Sequence, residues 1–372
     1  MSRATRRLFM QGTAAAALAA PGRAAARSVY ARLGVKPVIN GVGVVTVLGG
    51  SIMPPEVVSA MEEAARSFVP LPELHRKAGE RIAGLIGVPA AMVTCGCAAA
   101  ITVATAASMS RGDAEKIRRL PDASGMPFEV IQQKSHRSGY EAQMLLAGAR
   151  LVWVETREEL DRAIGERTAM MFFLNKADPD GRIKRDDWVR IGKQRGIPTF
   201  NDAASDVPPA ENLSRYVKEG FDLVAFSGGK GLLGPQCSGL LVGRKDLIDA
   251  GLLAQSPHGG IGRGMKAGKE EIVGLVAAIE RYMKIDHAAE RRILDARASH
   301  ILEALAGLER VSASLHIPEI ANQVPHVAVE WQGGPSAKEV VARLAGGDPP
   351  IAVSQRGERG LLVSVWMMRG EE

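Results

Sequence analysis

The sequence predicts an α/β protein: a mainly parallel sheet with helices on both faces, followed by a small α+β domain that closes the chain. Three observations predict it. After the first thirty residues or so, short apolar runs alternate with amphipathic stretches of helical period, the pattern of successive strand–helix units. No internal repeat or low-complexity block interrupts that alternation, which excludes solenoids and fibrous arrays. The composition, 46% hydrophobic and 24% charged over 372 residues, is that of a globular protein and excludes global disorder. This length accommodates two or three domains and a large core without disulfides or metal. The three cysteines are an odd number and lack metal-ligand spacing.

The first element is an address. Arg3, Arg6 and Arg7 precede a run of small apolar residues from Gly12 to Ala20, then Pro21, Gly22 and an Ala24-Ala25-Ala26 stretch. A positive n-region, a short apolar h-region and small residues for cleavage form an export signal over residues 1–26. The Arg6-Arg7 pair gives it a twin-arginine look, although Met10 and Gln11 depart from the usual continuation. The expected location is therefore periplasmic or exported, with a cytoplasmic protein bearing a basic tail as the alternative. The apolar run is far shorter than the ~20 residues that span a bilayer, so no permanent membrane anchor is expected.

The remaining elements follow in order. Pro54 and Pro55 open a helix expected over 54–68, with Val57, Val58, Met61 and Ala65 on one face. A second helix is expected over 72–86. Val93 and Thr94 end a strand that runs into Cys95-Gly96-Cys97 and an alanine-rich helix over 98–108. Strands are expected at 129–132, 151–154, 170–174, 198–201, 223–226 and 239–242, with intervening helices such as 186–195. A long helical stretch from 269 to about 308 leads to strand, strand, helix, strand and strand at 311–316, 324–330, 337–344, 351–354 and 361–366. The resulting domains are 1–26 (signal), 27–285 (N-terminal arm and large domain) and 286–372 (small C-terminal domain).

Three segments carry chemistry. The first is Phe226-Ser227-Gly228-Gly229-Lys230-Gly231, continuing to Gln236. A lysine among glycines just after an apolar strand suits a Schiff-base site: the strand fixes its position, the glycines let a flat cofactor approach the backbone, and Ser227 can bond a phosphate. By itself this window is also compatible with a solvated glycine-rich turn. The second is Asn201-Asp202-Ala203-Ala204, at the end of the preceding strand. In a parallel sheet neighbouring strands end on one crevice, so Asp202 and Lys230 should meet despite lying 28 positions apart. An acid there can pair with a protonated pyridine nitrogen, making pyridoxal 5'-phosphate an electron sink, while Ala204 leaves room for the ring. An Asp capping the next turn is the alternative. The third is the Thr94–Ala98 junction, where small residues open a helix whose amides favour phosphate. Cys95 and Cys97 have no histidine nearby to complete a metal site.

These segments, in this order, resemble the fold-type I pyridoxal-phosphate enzymes, and their wording resembles the selenocysteine synthase-like branch. The likeness runs from Ile39-Asn40-Gly41 with Gly43, through the 94–100 loop, His136 with Tyr140, Gly148-Ala149, Asp202-Ala203-Ala204 with Pro208-Pro209, and the 227–236 window, to Gly262-Arg263-Gly264-Met265-Lys266 and Gly268-Lys269-Glu270. It implies a seven-stranded-type, mainly parallel sheet in the large domain. It also implies roles: Lys230 holds the cofactor and shuttles the Cα proton; Asp202 holds the pyridinium beside Ala204; Gly96, Cys97 and Ser227 hold the phosphate; His136 stacks on the ring; Arg263 and Lys266 bind a substrate carboxylate or phosphate. No metal is expected. Cys95 and Cys97 stand where relatives more often carry Ser and Ala, and relatives usually continue beyond Glu371-Glu372 into a terminal helix.

The expected reaction is α,β-elimination and deamination of a small hydroxy-amino acid, giving a 2-keto acid and ammonia. Alternatives on the same carbanion are a selenium transferase, an aldolase, a racemase or an aminotransferase; a cofactor-free binding protein is a further one. The resemblance implies a homodimer or larger symmetric oligomer. Forty-seven Lys and Arg against forty-one Asp and Glu give +6, but Arg3, Arg6, Arg7 and Arg23 lie in the leader with no acid among them. Removing those four leaves +2, a nearly neutral body with no charge argument for nucleic acid. The segment between leader and core is also too short for the extra tRNA-binding domain of the selenium transferases. A small-molecule amino-acid substrate is therefore expected, with no nucleic acid as partner.

Overall fold

The structure, a computed structural model, describes residues 28–370. The expected signal over residues 1–26 lies outside the described residues. Twelve strands are described: β1 (Ile39–Gly41), β2 (Ala90–Thr94), β3 (Glu129–Gln133), β4 (Arg150–Val154), β5 (Thr168–Leu174), β6 (Thr199–Asp202), β7 (Leu223–Ser227), β8 (Gly239–Gly243), β9 (Val311–His316), β10 (His326–Trp331), β11 (Ile351–Gln355) and β12 (Gly360–Ser364).

Seven of them form one sheet in the order β2-β8-β7-β6-β5-β3-β4. From β7 to β4 all neighbours are parallel, while β8 runs antiparallel to both β7 and β2. The exception has a local cause. Only a glycine-rich turn separates β7 from β8, and without a crossover helix a strand must return antiparallel. Every residue of β3, β5 and β8 is buried, as expected of strands covered on both faces. Successive side chains serve opposite layers: Phe172 packs with Ile101, Phe200 and Leu241 on one face, and Phe173 with Trp188, Phe221 and Phe226 on the other.

The alanine-rich helix Gly96–Ser110 is buried along nearly its whole length, which explains its small, mainly apolar composition. The expected helices appear at Pro55–Ala65 and Leu71–Ile86, with proline at the first or second position of each. The stretch expected as one helix to about 308 is instead two, Lys269–Tyr282 and His287–Leu305. Asp286 breaks it by accepting a hydrogen bond from the Ala289 amide (2.9 Å) as the cap of the second helix.

The second sheet has the order β1-β11-β12-β10-β9, packed over Leu294, Ala298, Val324, Val327 and Val365. Its first strand comes from the N-terminal arm: Ile39 pairs in parallel with Ile351, and Gly41 with Val353. A division at 285/286 leaves this strand with the large domain, whereas its hydrogen bonds lie in the small one. Beyond β1 the arm turns on Asn40, whose Oδ1 accepts from the Val42 and Gly43 amides (both 3.0 Å). It then reaches the Lys230 turn, where Gln236 donates to the Thr46 carbonyl (3.0 Å). Among the described residues no helix is long and apolar enough to cross a membrane.

Candidate active site

The sheet gathers the expected segments at one edge. Asp202 ends β6 opposite Leu174 and Ala225, and Ser227 ends β7. Gly239, the first residue of β8, pairs with Ser227 on one side and with Thr94 on the other, so the Thr94–Ala98 junction lies two strands from Ser227. A Cβ on Gly239 would stand 2.4 Å from the Gly96 carbonyl carbon, and only glycine lets the three strand ends close up this way.

Gly96 opens its helix with φ 81°, and a Cβ there would meet nothing within 4 Å. No side chain caps this first turn, since Cys95 at the cap position makes no hydrogen bond through its thiol. The outcome is an open, electropositive backbone terminus beside Ser227.

Asp202 is only 5% exposed. Its Oδ1 accepts from the Ala204 amide (3.0 Å) and faces the Cys97 thiol (3.6 Å). Burial pushes its pKa up, opposed by the Ala204 amide, by nearby Lys230, by the Cys97 contact and by Lys176. Burial and the adjacent Asp202 push Cys97 well above the ordinary thiol range, so it stays protonated and serves as a donor. Lys230 donates through Nζ to Ser205 Oγ (2.8 Å). Ser205 carries no motif signal beyond its place directly after Asp202-Ala203-Ala204.

The loop carrying Ser205 is anchored from below. Asn175 Nδ2 and the Tyr216 hydroxyl (3.1 Å) both donate to Asp206 Oδ2, and Asn212 donates to its carbonyl (2.7 Å). Burial raises Asp206 to about 6, opposed by those two side-chain donors and reinforced by Asp202. From the small domain, the Asn322 amide donates to the Ser205 carbonyl (2.7 Å), so both domains hold this loop.

The picture changes at His136 and at the glycines beside Lys230. His136 is completely buried: Nδ1 accepts from the Leu174 amide (3.2 Å), Nε2 lies 3.2 Å from Gln133 Nε2, and the ring stands edge-on to Phe173. With no exposed face it has none to stack on a cofactor, and it is a packing residue here. Burial lowers its pKa to about 4, which keeps it neutral. Arg263 and Lys266 are exposed on their loop, and neither side chain has a described partner at the Lys230 centre. The glycines around Lys230 differ from expectation as well. Cβ atoms at Gly228, Gly229 and Gly231 would strike Ser238, Gln236 and the Val207 carbonyl, at 2.1, 2.5 and 1.9 Å. They let the turn close on the protein's own chain rather than on a flat ligand.

The donor set fits pyridoxal 5'-phosphate. Lys230 would supply an amine for its aldehyde, the buried Asp202 an acid for its ring nitrogen, and the uncapped helix terminus with Ser227 a seat for its phosphate. Ala204, half-buried next to Asp202, leaves the ring space. Among the described residues no group of three or more His, Cys, Asp or Glu is placed to hold a metal ion.

Comparison with known proteins agrees with the cofactor. The family model described as SelA, L-seryl-tRNA selenium transferase, matches residues 144–322. The chain is 33% identical to D-glucosaminate-6-phosphate ammonia lyase of Salmonella typhimurium over 338 residues, covering 87% of this chain and 88% of the relative. It is 32% identical to a 5'-C-glycyluridine monooxygenase-decarboxylase of Streptomyces sp, covering 87% and 83%. With the L-seryl-tRNA(Sec) selenium transferase of Caldanaerobacter subterraneus subsp. tengcongensis the identity is 27%, covering 83% and 70%. A solved D-glucosaminate-6-phosphate ammonia-lyase superposes with a TM-score of 0.80 at 30% identity, covering 93% of this chain and 95% of that one.

Proposed function

Because the chain belongs to the fold-type I pyridoxal-phosphate family of D-glucosaminate-6-phosphate ammonia lyase and the selenocysteine synthases, we propose that it is a lyase acting on a small hydroxy-amino acid. Its products are a 2-keto acid and ammonia. The observation that carries the reading is the meeting of Lys230 with the buried Asp202 at the edge of β6 and β7. Bound there, the cofactor supplies an electron sink for negative charge at the substrate Cα. Asp202, shielded from water, holds its charge against the ring nitrogen. Lys230 takes the Cα proton at Nζ, and Ser205 orients that nitrogen through the 2.8 Å hydrogen bond. Ser227 and the first-turn amides at Gly96 and Cys97 anchor the phosphate.

A small substrate is favoured over tRNA by the nearly neutral body of the chain. The test is incubation of the cofactor-loaded protein with a panel of D- and L-hydroxy-amino acids, assaying ammonia and 2-keto acid together. Equimolar appearance of both from at least one member supports the lyase reading, and release of neither from any member overturns it.

The Streptomyces relative, named as a monooxygenase-decarboxylase and almost as similar, favours one second reading, an oxygen-consuming decarboxylation. Oxygen uptake with CO2 release, in place of ammonia and keto acid, would select it.

We further propose a homo-oligomer. Leu33, Val47 and Phe68, which are 72%, 90% and 103% exposed in the single chain, place apolar surface on the arm and the segment after it, where a second copy would cover it. Export through the Arg6-Arg7 leader is the proposed location.

A further inference from the structure

A cleft lies at the seam between the domains, reaching Gly231 beside Lys230 but not Lys230 itself. Its volume is about 660 Å³, within the size range of small-molecule sites. The helix His287–Leu305 forms one wall, and Pro208, Pro209, Gly231 and Leu233 of the large domain form another. None of Lys230, Asp202, Ser205 or Cys97 lines it.

Its chemistry is specific. Tyr282, only 4% exposed, lines the cleft, and its hydroxyl is buried without a partner among the described residues. Burial, with Glu211 nearby, raises its pKa, so the hydroxyl keeps its proton and is a donor that lacks an acceptor. A buried donor left unpaired is costly, and an occupant bearing an acceptor removes that cost. Three arginines line the same space. Arg281 is held only by a 3.9 Å contact to Glu56, Arg291 by Asp295 (2.8 Å) and Arg297 by the Val365 carbonyl (3.3 Å). Each guanidinium carries five donors, so each keeps donors to spare. The carboxylates of the lining are Glu211 and Glu290, and with Glu56 and Asp295 holding two of the arginines, Arg297 is the one that no described acid pairs. Leu294 and Trp366 contribute apolar wall. A neutral apolar molecule would leave the tyrosine unpaired, and an ammonium would face the arginines.

We propose that this seam is a second ligand site that takes an amphipathic carboxylate, its charge toward Tyr282 and the arginines and its apolar body against Leu294 and Trp366. An occupant would touch both the turn that carries Lys230 and the helix that carries the small domain. Trp366 already comes within 3.3 Å of where a Cβ on Gly231 would lie.

The test is calorimetric titration of 3-phenylpropionate into the cofactor-loaded protein, with 3-phenylpropionamide and acetate as controls. Saturable single-site binding is expected, about tenfold or more tighter than either control. Tyr282→Phe should weaken it about threefold to tenfold, the worth of one hydrogen bond. Ala288→Trp, at an exposed position on the cleft wall, should abolish it while leaving the visible absorbance of the bound cofactor unchanged. Borohydride reduction, which blocks Lys230, should leave the affinity as it was. Absence of saturable binding, insensitivity to both substitutions, or loss of binding on reduction overturns the proposal. So does an affinity that falls with rising protein concentration, because a second copy then covers the cleft.

Discussion

At the scale of residues, the centre rests on three short contacts: Lys230 on Ser205, Asp202 on the Ala204 amide, and Asp206 on its buried donors. Ser205→Ala removes the acceptor that positions Nζ while leaving cofactor uptake intact. A hydrogen bond to a charged group is worth about 1.5–3 kcal/mol, so kcat should fall about tenfold to a hundredfold with KM little changed. Ser205→Thr, which keeps the hydroxyl, should restore most of the rate. Asp206 yields a pH test. Its folded pKa of about 6 lies above the ordinary carboxylate value, so the folded state favours the protonated acid, and its ionisation costs stability as pH rises from about 4 through about 6. Relative to Asp206→Asn, the wild-type protein should lose up to about 3 kcal/mol across that window in urea titrations at successive pH values. A difference that does not change with pH contradicts the assignment. The gathering of Lys230, Asp202, Ala204, Ser227, Gly96 and Cys97 at one edge could be read from the sequence because strand ends in a parallel sheet share it. The burial of His136 was not legible because a motif does not reveal it: Phe173 and Leu174, which help enclose it, come from β5 and Gln133 from the end of β3 just before its turn.

At the scale of elements, glycine placement decides how closely the strands and turns of the edge approach. Gly239→Ala drives a Cβ into the Gly96 backbone, which cannot yield as a flexible side chain would. Overpacking of this kind costs about 1–3 kcal/mol, and it would also displace the helix terminus that seats the phosphate. The expected outcome is a lower urea midpoint together with weaker uptake of pyridoxal 5'-phosphate, read by absorbance titration. Unchanged uptake would separate Gly239 from the phosphate seat. Strand positions were legible from their apolar runs, since strands buried on both faces leave little ambiguity. The antiparallel course of β8 was not singled out, although a turn too short for a crossover was its signal. Nor was the helix break at Asp286, because apolar spacing continues across it and only the cap side chain interrupts it.

At the scale of the whole molecule, the arm, the large sheet and the small domain meet on the turn that carries Lys230. A Cβ on Gly50 of the arm would lie 2.6 Å from the Gly229 carbonyl, and Asn322 of the small domain holds Ser205. That convergence was beyond the sequence, because pairing between β1 and β11 joins segments over three hundred residues apart. The exposed apolar surface gives a prediction at this scale: Val47→Asp with Phe68→Asp should shift the protein to a smaller species in light scattering. An unchanged mass would place the oligomer interface elsewhere. Changing Arg6-Arg7 to Lys-Lys should retain the protein in the cytoplasmic fraction, and continued export would remove the twin-arginine reading. We propose above all that pyridoxal 5'-phosphate attaches to Lys230. Borohydride reduction of the yellow protein followed by peptide mass mapping tests it most directly. The predicted result is a phosphopyridoxyl group on the peptide containing Lys230, absent in Lys230→Ala; a colourless protein that takes up no added cofactor, or a label on another lysine, contradicts it.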